Sequence, residues 1–229
     1  LGLTIGKSPE LGFEEVEAAR LLTGALEGAG YTVTRGLAGL DTAFKATLGE
    51  GNPNIALLCE YDALPELGHA CGHNLIGAAS VGAAVGLAPF VESLGGRITV
   101  LGTPAEETGS GKVVLVDAGV FDGIDAAMMF HPSSLNLLMA SSTALDAYEF
   151  EFIGKAAHAA DSPEEGINAL DGVLALFGGI NALREHLPDG VRIHGIISEG
   201  GTAPNIVPAR AVARFYIRAP RREMLDRIT

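Results

Sequence analysis

The sequence predicts an α/β fold that is followed by a smaller α+β domain. Through residue 144, apolar runs of strand length alternate with helical segments, which is typical of an α/β layer. Beyond that point the order of segments is strand, helix, strand, strand and helix, a split βαβ pattern that lacks its last strand. We therefore expect one domain at residues 1–144 and a second, incomplete one at residues 145–229.

The individual elements follow from apolar spacing and from turn residues. A helix is expected in FEEVEAARLLTGALEGAG, because Val16, Ala19, Leu22 and Leu26 share one face and the segment ends at glycine. The next elements are strands in YTVT, DTAFKATLG and NIALLCEYD, an Ala/Gly-rich helix, a strand in RITVLGTPAEE, a helix in GKVVLVDAG and a buried strand in AAMMFHP. The second domain has strands in LDAYEFEFIG, VRIHGIISEGG and AVARFYIRA, a long helix in INALDGVLALFGGINALREHL, and a helix that opens in PRREMLDRIT.

The composition favours a soluble globular protein and excludes several partners. Hydrophobic residues make up 48% of the chain and the formal net charge is −13. Nucleic acid is excluded because phosphate binding needs clustered Lys and Arg, and no basic stripe is present. The uncharged run Asn74–Val91 approaches the length of a membrane span, but its Gly and Ala content favours a buried helix, so no membrane partner is expected.

Cysteine usage and the first residues bear on the compartment. Two cysteines, Cys59 and Cys71, do not make a disulfide framework, which fits a reducing environment. The opening LGLTIGKSPELG has neither the basic nor the apolar region of a signal peptide. A cytoplasmic location is therefore expected.

Polar side chains follow three predicted strands, at the points where the strands end. They are Glu60 and Asp62, Glu106 and Glu107, and His131. Open α/β sheets bind ligands at the carboxyl edge of their strands, so we expect these side chains to form one site.

The stretch CEYDALPELGHACGHN adds Cys71 and His73, whose spacing lets a thiolate and an imidazole converge on zinc or a similar metal. Alone, this pair is equally compatible with a buried Cys beside a helix-capping His, PAEE with a solvated loop, and FHP with a structural His. Together, at one sheet edge, they predict a metal site. Of the two adjacent glutamates, one can bind metal while the other accepts a proton from water, so hydrolysis is the expected reaction.

Six motifs, in order along almost the whole chain, resemble those of the M20 metallopeptidase family. They are PELGFEE, EYDALPELGHACGHN, GTPAEETGSGK, FHP, GKAAHAADSPEEGINALD and GGTAPNIVPARAVARFYIRA. The branch that they resemble holds aminoacylase-like enzymes, aminobenzoyl-glutamate hydrolases and plant auxin-conjugate hydrolases. The resemblance implies a di-metal catalytic domain with an inserted ferredoxin-like dimerisation domain. It also implies a homodimer that uses metal-activated water to hydrolyse the amide bond of an N-acyl amino acid, a dipeptide or an amino-acid conjugate.

The resemblance also implies roles for particular residues of the first domain. Two divalent ions, zinc or manganese, would be held by Cys71, His73, Glu107 and His131. Glu106 would be the general base, and Asp62 would orient a ligand from behind it. Glu60 stands where other M20 branches carry a ligating His, so its metal role is doubtful.

In the second domain the resemblance implies three further residues. His158 would reach the active site of a partner subunit and donate a hydrogen bond to the developing oxyanion. Asn205 would contact the substrate amide, and Arg218 its carboxylate, which a guanidinium binds through two hydrogen bonds. From the residues alone, these three are a surface His, a turn Asn and a solvated Arg.

Some features depart from the family pattern. The opening IGKSPELG lacks the His that is usual before the proline, and the last metal-ligating His is expected beyond residue 229, so the polypeptide is expected to be longer than this chain. The alternatives are a catalytically silent binding or scaffold relative, a truncated fragment, and a structural zinc module of His69, Cys71 and His73. The intact Glu106–Glu107 pair argues against a silent relative, and the lack of a second Cys/His pair argues against a zinc module.

Overall fold

The computed structural model describes residues 1–138 and 141–229, which form two compact units. The first unit comprises Leu1–Asn136 and the second Leu137–Thr229, so the division lies N-terminal to the predicted boundary at residue 144. The first strand of the second unit begins at Ala144.

The first unit is a mixed sheet with helices around it. Its helices are α1 (Gly2–Lys7), α2 (Val16–Gly28), α3 (His73–Leu87), α4 (Val91–Leu94), α5 (Glu106–Gly109) and α6 (Gly111–Asp117). Its strands are β1 (Thr32–Arg35), β2 (Phe44–Leu48), β3 (Asn54–Cys59), β4 (Arg97–Gly102) and β5 (Ala126–Met128), in the spatial order β1-β2-β4-β3-β5. Strands β3, β4 and β5 are parallel, so their carboxyl ends lie at one edge, as the α/β prediction requires.

The core of this unit lies where α2 and α3 pack on the sheet. Leu22 and Leu26 of α2 are fully buried, and Phe44 of β2 stacks on Tyr61 with ring centroids 5.9 Å apart. The predicted apolar face of α2 is slightly rotated, because Ala18 is buried where Val16 was expected, and Val16 is 65% exposed.

Two predictions of burial in the first unit were wrong. The strand in AAMMFHP is exposed, because β5 lies at the sheet edge and has β3 as its one strand neighbour among the described residues. Helix α3 is buried along one face only, from His73 through Ile76 and Ser80 to Ala84. The helical stretch His73–Leu94 is long and apolar enough to cross a membrane by length and composition, and 33% of its most apolar window is buried.

The second unit is a three-stranded antiparallel sheet with one long helix against it. Its elements are β6 (Ala144–Ile153), α7 (Ala169–Leu183), β7 (Arg192–Glu199), β8 (Arg210–Ala219) and α8 (Arg222–Leu225). The strand order is β6-β8-β7, as expected for a split βαβ pattern whose fourth strand is not among the described residues. Phe215 of β8 fills the core beneath α7, with its ring centroid 4.7 Å from that of Phe177.

Candidate metal-dependent active site

The polar residues that follow the parallel strands lie together at the carboxyl edge of the sheet. Glu60 and Asp62 follow β3, Glu106 and Glu107 begin α5 after β4, and His131 lies beyond β5. Glu60 and Asp62 are buried although both are carboxylates, which is costly unless each has a compensating partner. These partners define the site.

His73, the first residue of α3, lies at the centre of this cluster and is 1% exposed. Its Nδ1 lies 2.7 Å from Oδ1 of Asp62, and Oδ2 of Asp62 accepts a hydrogen bond of 2.9 Å from the backbone N–H of Glu107. One buried carboxylate therefore fixes both the imidazole ring and the start of α5. This is the arrangement by which a carboxylate orients a metal-binding histidine.

The other ring nitrogen of His73 faces three carboxylates. Its Nε2 lies 3.4 Å from Oε2 of Glu60, and 3.8 Å from both Oε2 of Glu106 and Oε1 of Glu107. Two sets of candidate ligand atoms each lie within 4.8 Å of one another: Glu60, His73 and His131, and His73, Glu106 and Glu107. The structure therefore includes Glu60 among the candidate ligands, although the family pattern makes its metal role doubtful.

The donor set fits divalent cations. Within residues 1–138 and 141–229, Oε2 of Glu60 and Oε1 of Glu107 are buried and have no hydrogen-bond partner. An unpaired buried carboxylate oxygen is unfavourable, and a cation bonded to it removes that cost. Imidazole and carboxylate ligands suit zinc and manganese alike, so the chemistry of the site does not distinguish between these ions.

The pKa values of the central residues are shifted by burial and by their partners. Burial lowers the pKa of His73, but the hydrogen bond with Asp62 and the surrounding carboxylates outweigh it and raise that pKa above its usual value. Burial raises the pKa of Asp62, but the hydrogen bonds from His73 and from the Glu107 backbone hold it below its usual value. Burial raises the pKa of Glu106, which nearby Lys112 opposes.

A close approach between two loops brings His131 to the site. Gly72, which caps α3, has a φ of +81°, and a Cβ atom at this position would lie 2.6 Å from Cγ of Pro132. The Cys-Gly-His and Phe-His-Pro segments therefore meet only because the middle residue is glycine. Nδ1 of His131 donates to the Pro132 carbonyl over 2.9 Å, which leaves Nε2 for a ligand, and its ring lies 6.1 Å from that of His73.

Cys71 and His69 lie outside both sets of candidate ligand atoms among the described residues. The Cys71 thiol is exposed, and its hydrogen bond with Glu107, together with partial burial, raises its pKa to about 11. Both ring nitrogens of His69 are buried and have no partner within the part of the chain that the structure describes. The closed module of His69, Cys71 and His73 is therefore not assembled.

Glu15 is a residue of the site that sequence reasoning missed. Its buried carboxylate accepts hydrogen bonds from the Ala105 backbone N–H over 2.8 Å and from the Thr42 hydroxyl over 2.9 Å. Ala105 has a φ of +54°, which is unfavourable for a residue with a Cβ, and it directly precedes the Glu106–Glu107 pair. Glu15 thus holds the turn that aims both glutamates. The motif PELGFEE contains this residue, but its partner lies 90 residues away in sequence.

We expect Glu15→Ala to lower the free energy of unfolding by about 2–4 kcal/mol, because it leaves a buried N–H and a buried hydroxyl unpaired. It should also lower turnover, because the turn at Ala105 loses its support. Urea unfolding followed by circular dichroism measures the first effect. A loss below about 0.5 kcal/mol would contradict the role given to Glu15.

The matched variant Glu15→Gln tests the charge of this residue. Burial raises the pKa of Glu15 above its ordinary 4.5 despite the opposing hydrogen bonds. The folded state therefore binds this proton more tightly than the unfolded state, and stability decreases as the pH rises from 4.5 through the folded-state pKa. Glu15→Gln should remove this part of the pH dependence and keep the hydrogen bond to Ala105. An unchanged pH profile of stability would contradict the assignment.

The three candidate residues of the second unit are not brought together. His158 and Asn205 are adjacent, since the Ala159 N–H donates to the Asn205 carbonyl over 3.0 Å and His158 bridges Ile206. Arg218 lies near the far end of β8. From Arg210 at the start of the strand to Arg218 the distance is about 26 Å at the usual rise per residue.

Comparison with known proteins identifies the group to which this chain is related. The family model described as "Peptidase dimerisation domain" of the M20 family matches residues 143–229. The chain is 41% identical over 244 residues to the Xaa-Arg dipeptidase of Mus musculus, with 100% of the chain and 56% of the relative covered. It is 42% identical over 239 residues to one of the two chains of the p-aminobenzoyl-glutamate hydrolase of Escherichia coli, with 95% of the chain and 49% of the relative covered.

The chain belongs to the M20 peptidase family. The fold agrees: a crystal structure of a dinuclear metal-binding M20 peptidase from Bacillus subtilis matches with a TM-score of 0.70 at 23% identity, covering 98% of this chain and 64% of that one. This M20 chain spans about half the length of the two sequence relatives. Both relatives are named for the hydrolysis of amide bonds.

Proposed function

We propose that the protein is a metal-dependent hydrolase that cleaves the amide bond of a dipeptide, an N-acyl amino acid or a related amino-acid conjugate. The observation that carries the proposal is the arrangement around His73, whose Nδ1 is fixed by Asp62 while its Nε2 faces Glu60, Glu106 and Glu107. A passive binding domain has no use for this concentration of carboxylates around one buried imidazole.

Three of these residues would hold the cations and one would move a proton. His73, Glu107 and His131 are the proposed ligands, with Cys71 at the rim as a fourth. A bound divalent ion supplies an electrophile for the amide carbonyl and lowers the pKa of water to about 7. Glu106 is proposed to accept the proton of the attacking water and to deliver it to the leaving amine.

The position of Glu106 suits a general base. Its side chain is 42% exposed, so substrate and water can reach it, whereas His73 beneath it is buried. Burial raises the pKa of Glu106, which brings this carboxylate closer to the range in which a base is efficient near neutral pH. Neighbouring Glu107 points its unpaired Oε1 toward His73, so the two adjacent glutamates have separate tasks.

The second unit is proposed to complete the site through a homodimer. Nδ1 of His158 accepts hydrogen bonds from the backbone N–H groups of Ala160 and Asp161, at 3.3 and 3.1 Å. In the neutral ring the proton is therefore on Nε2, where it can be donated to an oxyanion. Asn205 lies at the same end of the unit, whereas Arg218 lies too far away to contact the same small substrate, because a dipeptide is about 7 Å long. We infer that the two ends serve two different active sites.

Substrate screening of the full-length protein tests the reaction. The compounds are a dipeptide that ends in arginine, p-aminobenzoyl-glutamate and N-acetyl-cysteine, chosen because relatives are named for activity on them. We expect at least one amide to be hydrolysed after Mn²⁺ or Zn²⁺ is added, and activity to be lost after chelation. Release of product that is unaffected by chelation would contradict the proposal.

Subunit mixing tests the homodimer and the role of His158. We expect Glu106→Gln and His158→Ala each to be inactive, and a mixture unfolded and refolded together to regain about a quarter of wild-type activity, because half of the dimers would hold one complete site. Refolding each variant alone is the control. Failure of the mixture to exceed the separate variants would contradict delivery of His158 to a partner subunit.

Localisation remains a separate proposal. We propose a cytoplasmic protein, in keeping with two free cysteines, one of which has an exposed thiol. Subcellular fractionation with an antibody against the native protein tests it, and recovery in a secreted fraction would contradict it.

A further inference from the structure

We propose that Lys112 is a positioning residue that binds one oxygen of Glu60 and thereby keeps this carboxylate from closing the metal site. The inference rests on the proposed function, because it concerns the metal site assigned there. The residue roles that the family motifs imply do not include this lysine. Its basis is a buried ion pair, two distances and the two unequal oxygens of one carboxylate.

The pair is built into the turn that follows β4. Nζ of Lys112 lies 2.5 Å from Oε1 of Glu60, whose side chain is 2% exposed, while that of Lys112 is 28% exposed. The turn is tight, because a Cβ atom at Gly111 would lie 2.0 Å from the Pro104 carbonyl. Glycine at that position therefore allows α6 to begin beneath the glutamate pair, and Lys112 enters the site as its second residue.

The two oxygens of Glu60 have different surroundings. Oε1 is bound by Lys112, whereas Oε2 lies 3.4 Å from Nε2 of His73 and has no hydrogen-bond partner among the described residues. Glu60 also falls within 4.8 Å of His73 and His131 as a candidate ligand. Without the lysine, both oxygens of this buried anion would be available to a cation.

The charge of Lys112 matters because the site is strongly acidic. Four carboxylates, those of Glu60, Asp62, Glu106 and Glu107, lie around His73. Within residues 1–138 and 141–229, Lys112 is the one lysine or arginine that forms an ion pair with any of them. A cation therefore binds against the repulsion of the ammonium, and Glu60 contributes less than a free carboxylate would. A catalytic metal site needs an open coordination position, and the lysine preserves it.

Opposite substitutions are expected to have opposite effects on metal binding. Lys112→Met removes the repulsion and frees Glu60, so we expect Mn²⁺ to bind roughly tenfold or more tightly while kcat falls, because Glu60 then takes the open position. Glu60→Gln leaves the ammonium uncompensated, so Mn²⁺ should bind roughly tenfold more weakly. The double variant should return near the wild-type affinity. Lys112→Arg keeps the charge and should resemble the wild type in metal affinity.

Isothermal titration of Mn²⁺ alone into the chelator-treated full-length protein measures these affinities. Arg97→Met is the matched control, since it removes a positive charge at the start of β4, at the opposite end of that strand, and should leave Mn²⁺ affinity unchanged. Weaker or unchanged binding in Lys112→Met would overturn the role of Lys112, with wild-type binding intact. If Lys112→Met fails to fold, Glu60→Gln and Lys112→Arg decide: tighter binding in Glu60→Gln, or lost binding in Lys112→Arg, overturns the proposal. Absence of binding in the wild type would instead overturn the proposed function itself.

Discussion

Replacing Glu106 by glutamine is expected to lower kcat for amide hydrolysis by about 10³-fold, because the amide group cannot accept the proton of the attacking water. The substitution keeps the size of the side chain, and it leaves the contacts of His73 with Asp62 and Glu107 in place. Steady-state kinetics on the substrate found by screening measure the effect. The Mn²⁺ affinity should change by much less than the turnover.

The control for this prediction is Glu92→Gln, which makes the same change at an exposed position on α4. It should leave both kcat and KM unchanged. If Glu106→Gln kept wild-type turnover, Glu106 would not be the general base. If it lost metal and turnover together, Glu106 would instead be a ligand, a role for which its distance of 3.8 Å from Nε2 of His73 leaves room.

Asp62→Ala is expected to weaken metal affinity by about 10–100-fold, because Asp62 orients His73 without facing the ligand cluster itself. The same substitution leaves the Nδ1 group of His73 and the backbone N–H of Glu107 without their acceptor. Leaving such buried groups unpaired should also destabilise the protein by about 1–3 kcal/mol for each group. Calorimetric titration and urea unfolding measure the two effects separately.

Asp62→Asn distinguishes orientation from charge. Its amide oxygen can still accept from one of the two donors, so we expect a smaller loss of stability than in Asp62→Ala but a clear loss of metal affinity, since the anion that holds His73 is gone. Wild-type metal affinity in Asp62→Ala would show that His73 does not depend on this carboxylate, and would contradict the geometry assigned to the site.

The placement of the site could be predicted because it depends on local patterns. Apolar runs locate β3, β4 and β5, and parallel strands put the residues that follow them at one edge. The α/β fold and the M20 relationship are confirmed. The roles of Glu106, Glu107 and His131 stay predictions, although these residues do lie around His73 as expected.

What the sequence could not show depends on contacts between distant segments. Glu15 reaches Ala105 across 90 residues, and Glu60 meets Lys112 through a turn whose shape is not written in any local pattern. The separation of Arg218 from Asn205 follows from the length of β8, not from the motif that contains both. Likewise, the exposure of β5 follows from its edge position, whereas its apolar sequence predicts burial.

The most direct test of the metal site is an X-ray measurement at the absorption edge of zinc or manganese, on crystals of the full-length, active protein. We expect anomalous density within about 2.0–2.3 Å of Nε2 of His73 and of a carboxylate oxygen of Glu107, with Lys112 still bound to Glu60. Density bonded elsewhere, or none at this sheet edge in metal-saturated protein that hydrolyses amides, would show that the metal site is not the one assigned to His73 and Glu107.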